Sequence, residues 1–428
     1  ALVSLFDFEN RNGVFPGVHR SYKFCLLTLS GHDRPVDEAE FVFFALEVAD
    51  LTDVGKRFTL TPDDFALLNP NTRTCPVFRT RRDAEITKAV YRRVPVLVNE
   101  ADPEHGNPWG LSFRQGLFNM TSDSGLFKTR DDLEVDGWTL QGNHFVRGDE
   151  RFLPLCEAKM IHHFDHRWAT HEGLDVRKLT LDEKQDPTFV ALPRYWVVEE
   201  EISKRAEGRY LAGWRKICRS TDERTFISTS IPLVGAGDNL LLYWTEDPSS
   251  TPYPVMSSFV FDFIARQKLG GSNFQYFTAK QLPLVPAEHL EGTEPWTEEL
   301  TYTAWDMSEF AADLGFHGPP FRWDVERRAL LRAELDALVF RLYGIERDDV
   351  DYILDTFPIV RRKDGAEFGE FRTKRLILER FDAMESADAA GEEYQTALDP
   401  PPADPSLCHP ESTRPAWAQP AKPARSEQ

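Results

Sequence analysis

Leu2-Val-Ser-Leu-Phe-Asp-Phe8, Tyr22-Lys-Phe-Cys-Leu-Leu-Thr-Leu29 and Phe41-Val-Phe-Phe-Ala-Leu-Glu-Val48 place three apolar runs at the start of the chain. Each has a strand's length and is rich in Phe, Leu and Val. No helical pattern separates them, and three successive strands without crossover helices do not complete an α/β domain. The sequence also opens without an initiator Met. The expectation is that these are the terminal strands of a sheet whose beginning lies upstream.

Outward from that stretch the pattern changes. Thr59-Leu-Thr-Pro-Asp-Asp-Phe65 opens a helix, with Thr61 as N-cap, Pro62 at the first position and acids in the first turn. A second, basic helix is predicted over 81–92, before Pro95. Residues 99–110 are rich in Gly, Pro, Asn and Asp and mark a domain boundary. From Trp109 to about Pro286, short aromatic and β-branched runs broken by Gly and Pro predict strand and loop. One helix, over 255–269, interrupts them and ends at Gly270-Gly271. Further on, Asp324 caps a helix with Leu331, Leu335, Leu338 and Leu342 on one face, closed by Gly344. Helices over 347–357, stopped by Pro358, and 373–384 follow. The stretch Asp399-Pro-Pro-Pro-Ala-Asp-Pro405 and its surroundings predict a disordered tail.

The composition is that of an ordinary globular protein, 41% hydrophobic and 28% charged over 428 residues. No apolar run approaches the ~20 residues of a membrane helix. The five cysteines (Cys25, Cys75, Cys156, Cys218, Cys408) are odd in number and scattered, with no C-x-x-C pair. They fit reduced thiols in a bacterial cytoplasm better than disulfides or a zinc site. A net charge of −20 argues against a protein that coats nucleic acid. The charge is uneven, however. Arg73 to Arg93 holds seven Lys/Arg against two Asp/Glu, a local +5, whereas Phe381 to Gln428 holds nine acids against three bases, a local −6. Such a balance suits contact with DNA along one groove only.

Several phrases, in one order over residues 2–380, resemble a known family. They are Leu5-Phe-Asp-Phe-Glu-Asn-Arg11, Val18-His-Arg-Ser-Tyr-Lys-Phe-Cys-Leu-Leu-Thr-Leu29, Leu68-Asn-Pro-Asn-Thr-Arg73, Phe118-Asn-Met-Thr-Ser-Asp-Ser124, Leu155-Cys-Glu-Ala-Lys-Met-Ile-His-His-Phe-Asp-His-Arg167, Ala265-Arg-Gln-Lys-Leu-Gly-Gly271, Lys280-Gln-Leu-Pro283 and Tyr352-Ile-Leu-Asp-Thr-Phe-Pro358. Together they look like the C-terminal part of type IIG, BREX- or DISARM-like adenine-N6 DNA methyltransferases of restriction or phage-defence systems. The resemblance implies an α+β chain: terminal strands of a Rossmann-like methyltransferase sheet, a mixed α/β target-recognition domain similar to type I specificity subunits, and a C-terminal helical segment. The corresponding divisions are 1–58, a basic helical connector over 59–104, recognition over 105–290, helices over 291–385 and a tail over 386–428. The implied partners are double-stranded DNA and a methyltransferase catalytic half, in cis or in trans, which would bind S-adenosylmethionine.

The sequence departs from that family where chemistry would occur. Adenine-N6 transfer needs an N-P-P-[YFW] loop to hold a flipped base, and cofactor binding needs a Gly-rich turn after a strand. Asn107-Pro108-Trp109-Gly110 lacks the second Pro and reads as a domain-entry turn. Gly235-Ala-Gly237-Asp238 lacks a following helix and also reads as a turn. No catalytic, cofactor or metal residue is therefore assigned. His162, His163, Asp165, His166 and His171 form the densest cluster of ligand-type side chains, but strand alternation would divide it between two faces. Asp149 with Glu157-Ala-Lys159 resembles the D…E-x-K arrangement of Mg²⁺ nucleases, which makes a nuclease the alternative reading. A non-catalytic scaffold of a defence complex is a further alternative.

For DNA contact the candidates are basic and amide residues of the central region. Lys159, His163 and Arg167 lie on the predicted polar strand. Arg215, Lys216, Arg219 and Arg224 belong to Trp214-Arg-Lys-Ile-Cys-Arg-Ser-Thr-Asp-Glu-Arg-Thr225. Arg266, Lys268, Ser272, Asn273, Gln275 and Lys280 surround Gly270-Gly271. Arg and Lys neutralise phosphates, whereas Asn, Gln and Arg can read base edges.

Overall fold

A computed structural model describes residues 1–206, 208–247 and 251–418, and in it the apolar runs at the start are strands. They are β1 (Leu2–Glu9), β2 (Lys23–Leu29) and β3 (Ala39–Ala45), joined by a short β4 (Phe58–Leu60). The sheet order is β2-β1-β3-β4, with β1 antiparallel to β2 and parallel to β3. Alternation sends Phe41, Phe43 and Phe58 into the main core against Phe78. Phe8 and Val42, with Phe24, form a small cluster on the other side. β2 lies at the sheet edge and exposes Leu26, Leu27 and Leu29, the last by 66%.

The first connector helix, Pro62–Leu68, starts as expected: the Thr61 hydroxyl accepts from Asp64 N and the Asp64 carboxylate accepts from Thr61 N. Helix Arg81–Arg93 uses the same box with Thr80 and Asp83. Two further helices, Arg130–Val135 and Leu181–Gln185, repeat it with Thr129–Asp132 and Thr180–Glu183. Each box satisfies N–H groups that the first helical turn cannot.

The central region carries two sheets. One contains β5 (Ser112–Arg114), β12 (Tyr210–Arg215), β13 (Ser228–Pro232) and β15 (Leu240–Trp244), in the order β13-β12-β15-β5. The other contains β6 (Thr139–Gln141), β7 (His144–Arg147), β8 (Glu150–Cys156) and β11 (Trp196–Val198), with β14 (Gly235–Ala236) parallel to β8. A hairpin of β9 (Ala169–Glu172) and β10 (Asp175–Lys178) stands beside them.

The helix expected over 255–269 is broken. Tyr253–Met256 ends at Ser257, and Phe259–Lys268 begins anew with Ser258 as N-cap. Helix Phe259–Lys268 is buried almost all round, which marks a helix inside a core rather than on its surface. Val77 N donates to its Gln267 carbonyl, Asp262 holds Arg224, and Phe259 N donates to Asp336. One hydrophobic core therefore runs from residue 39 to residue 408, through the boundaries expected at 104 and 290.

Asp324 caps helix Val325–Leu342 as expected, its carboxylate accepting from Arg327 N. Pro358 does not merely stop helix Arg347–Asp355. It occupies the first position of a further helix, Pro358–Phe368, where its missing N–H costs nothing. Helix Arg372–Ala390 extends beyond its expected end at 384. The tail, expected to be disordered, is tied down over 391–418. The Tyr394 and Thr396 hydroxyls donate to the buried Glu334 carboxylate, Arg322 N to Leu407 O, and His409 N to Pro320 O. Leu398 and Cys408 are buried. Proline-rich composition misled here, because polar anchors fix the chain where apolar content is low. The remainder of the tail lies outside the described residues. No helix among those described is long and apolar enough to cross a membrane.

Candidate nucleic-acid interface

The residues expected to touch DNA fall into two groups with opposite surroundings. The first is committed to the interior. Arg167 is buried completely, and its guanidinium donates to the carbonyls of Asp186 (2.9 Å), Phe189 (2.6 Å), Lys184 (3.0 Å) and Thr303 (3.0 Å). Arg224 pairs with the buried Asp262 at 2.6 Å and donates to the Ser257 and Ser258 carbonyls. Arg266 donates to the Asp222 and Glu223 carbonyls and lies 3.5 Å from Asp262. Lys268 bonds Leu68 O and Asn69 Oδ1, and burial pushes its amine well below the ordinary lysine range. Arg215 donates to Ile161 O, and burial lowers it to about 10, which leaves it charged at neutral pH. Lys280 pairs with Glu100 at 2.6 Å. His163 is buried, and burial, then Arg224, depress its pKa well below the ordinary value. Six of these side chains are held in the interior and cannot reach DNA, whereas Lys280 is half-exposed in a surface pair with the exposed Glu100 and stays accessible. The donors of the six are already used or buried, and freeing them would expose unsatisfied carbonyls or carboxylates.

The predicted polar strand over 162–166 is a tight turn instead. His162 and Asp165 exchange backbone hydrogen bonds, and Phe164 adopts φ 55°, a strained value for a bulky side chain. The histidine cluster is accordingly dispersed: His166 pairs with Asp306 at 2.9 Å and His171 with Glu157 at 2.9 Å. No group of three metal-ligating side chains occurs among the described residues. The nuclease arrangement also fails. Asp149 sits in the turn before β8 and Glu157 just past its far end. Eight steps of extended chain separate them by about 26 Å, far beyond a shared Mg²⁺. Lys159 is exposed and pairs with Glu157 at 3.1 Å.

Of the two sequence decoys, Asn107-Pro-Trp-Gly110 is the expected turn, whereas Gly235-Ala-Gly237-Asp238 is a short strand that leads into a turn at Asp238. The Asn107 side chain bridges to its own loop through Leu111 N and O, and the buried Trp109 indole donates to Val285 O. A ring held in that way cannot stack on a flipped base. Gly235 and Ala236 form β14, and β15 rather than a helix follows Gly237-Asp238. The basic island over 73–93 is partly neutralised, through Arg81–Glu85, Arg82–Asp349 and the pairing of Lys88 and Arg92 with Asp64.

The second group is brought together. The loop after β12 runs antiparallel to the segment after Gly270-Gly271, although the two lie over 50 residues apart in sequence. Phe274 N donates to Lys216 O (2.7 Å), Cys218 N donates to Ser272 O (3.1 Å), and Ile217 pairs with Asn273. This two-stranded ridge presents Lys216, Arg219, Ser272, Asn273 and Gln275 on adjoining exposed or half-exposed positions. Neither Lys216 nor Arg219 has an ion-pair partner among the described residues. Gln275 is the N-cap of helix Tyr276–Ala279, yet its amide makes no capping bond. The space above Gly270 and Gly271 is open, with no atom within 4 Å of a Cβ built there. The ridge is anchored from below: the Trp214 indole donates to Phe274 O, and Asp262 accepts from Thr225 N.

Sequence reasoning named five of these residues but missed two apolar ones, Ile217 (59% exposed) and Phe277 (62% exposed). Their signal lay in position only: large apolar side chains within runs otherwise assigned to polar loops. No protein-family model matches this sequence, and no curated protein matches it significantly.

Proposed function

We propose that this chain recognises double-stranded DNA through the paired segments 216–219 and 270–275. In this reading it serves a SAM-dependent, site-specific adenine-N6 methyltransferase of a restriction or phage-defence system. The β1–β4 sheet belongs to the methyltransferase side and the two central sheets to target recognition. One observation carries the proposal: two segments distant in sequence pair into a ridge whose cations and amides are uncommitted. Lys216 and Arg219 suit phosphates, and Asn273 and Gln275 suit base edges. The catalytic half, in cis or in trans, would cover the apolar edge of β2, whose Leu26, Leu27 and Leu29 are otherwise left in water.

The test is fluorescence anisotropy with a randomised duplex pool at several salt concentrations, with the selected sequences read out. Binding should weaken linearly in log–log form as salt rises, with a slope of about −0.9 per phosphate neutralised. Absence of salt-dependent binding sinks the proposal and leaves the scaffold reading, which the exposed β2 edge favours. Incubation with tritiated S-adenosylmethionine and genomic DNA should leave no label in adenine, because these residues contain no N-P-P-[YFW] loop. Label above background would overturn the division of labour.

A further inference from the structure

A cavity of about 390 Å³ opens between the turn over 162–165 and the helices Phe259–Lys268, Val325–Leu342 and Arg372–Ala390. That volume lies within the range of small-molecule sites. Its wall holds His163, Arg224 and Arg332, together with the rings of Trp168 and Phe368.

The charges of this wall are unevenly used. Asp165 is bound by Lys184 at 2.6 Å, Glu223 by Lys363, Asp336 accepts from Phe259 N at 2.7 Å and Asp364 from Thr373 N at 2.6 Å, while Glu367 of the same wall is exposed to solvent. Arg328 is spent on the Leu300 and Phe164 carbonyls. Arg332, by contrast, has no hydrogen bond or ion pair among the described residues, although Asp336 lies one turn along the same helix. Both ring nitrogens of His163 and Nη1 of Arg224 are buried in the same wall without a partner. Each buried polar atom left without a partner costs about 1–3 kcal/mol, and a bound ion or ligand is one way in which that cost is offset. The groups that bear on His163 are cationic: Arg224, Arg332 and Arg215. A negatively charged acceptor would take the free Arg332 and Arg224 donors and the one His163 ring nitrogen that carries a proton. The strained Phe164 lies next to His163, as strained residues do at binding sites.

We propose that this cavity binds a small molecule through an oxyanion, a phosphate or carboxylate group held by Arg332, with His163 and Arg224 completing the donor set. The site is independent of the DNA-binding ridge, and it is too small for a duplex. The guanidinium fork of Arg332 offers paired donors that match either oxyanion.

The experiment is a thermal-unfolding titration of the full chain with inorganic phosphate, succinate and chloride at matched ionic strength. Phosphate or succinate should raise the melting temperature in a saturable way, and chloride should not. Whichever of the two acts at the lower concentration identifies the group. Arg332→Gln should weaken the apparent affinity at least about tenfold, as loss of a charge-assisted bidentate contact does, while leaving the unliganded melting temperature close to that of the parent. His163→Asn provides a second variant with a smaller loss. A short duplex should not displace the bound anion. Stabilisation no greater than that by chloride overturns the proposal without reference to any variant. So does undiminished affinity in Arg332→Gln, or displacement by the duplex.

Discussion

Arg224 and Arg219 stand five residues apart in one loop, and the sequence offers them as equals. Arg224 is buried against Asp262 and two carbonyls, whereas Arg219 is exposed and unpaired. The same division separates Arg266 and Lys268, tied to the core, from Asn273 and Gln275 just beyond Gly270-Gly271. A long cation is assigned by the acceptors within its reach. Where carbonyls and a carboxylate converge, it becomes part of the scaffold. Where none do, it remains available to a partner.

This contrast predicts that the two groups respond to mutation in different measurements. The largest effect is expected for Asp262→Ala, which leaves Arg224 and Arg266 as uncompensated buried charges. Urea unfolding should show a loss of about 3–5 kcal/mol, and a loss below about 1 kcal/mol would dissolve the distinction. Arg167→Met strips the donors from four carbonyls and should cost about 2–4 kcal/mol of stability. DNA affinity per folded molecule should stay unchanged, and a sequence-selective loss would return Arg167 to the interface.

Asn273→Ala and Gln275→Ala should instead leave stability within about 0.5 kcal/mol. They should relax preference at single base positions by about 1–3 kcal/mol, read from selected duplex sequences. An unchanged sequence profile would remove the amides from recognition. The smallest effect belongs to Lys216→Ala and Arg219→Ala. Each should lower affinity equally on all sequences and reduce the salt slope by about 0.9, with no change in the unfolding midpoint. A shift in that midpoint would place these cations with the structural group.

How much was legible in the sequence differs along the chain. The helix at Thr61 was readable because its N-cap, Pro62 and Asp64 lie within one turn of each other. The Leu face of Val325–Leu342 was readable for the same reason. The single long helix expected over 255–269 was not, because Ser257 and Ser258 interrupt an apolar run that shows no periodic break. The tail was misjudged because its order rests on Glu334, about 60 residues upstream. At the candidate interface, residue types and loop positions were legible, but the pairing of Lys216 with Phe274 was not. The nuclease triad was rejected by β8, whose length holds Asp149 and Glu157 apart.

By itself the sequence determined the helix starts at Thr61 and Asp324, the three opening strand runs and the mixture of helix and strand, since capping and alternation act between neighbours within about four residues. The tertiary structure alone decided which cations are free. Arg167 meets carbonyls 17, 19, 22 and 136 residues away, and Arg224 meets a carboxylate 38 residues away. No local pattern encodes those distances. They are fixed only in the folded chain, where Asp262 of the Phe259–Lys268 helix meets Arg224 and the 184–189 segment and Thr303 close around Arg167, offsetting the desolvation of each charge.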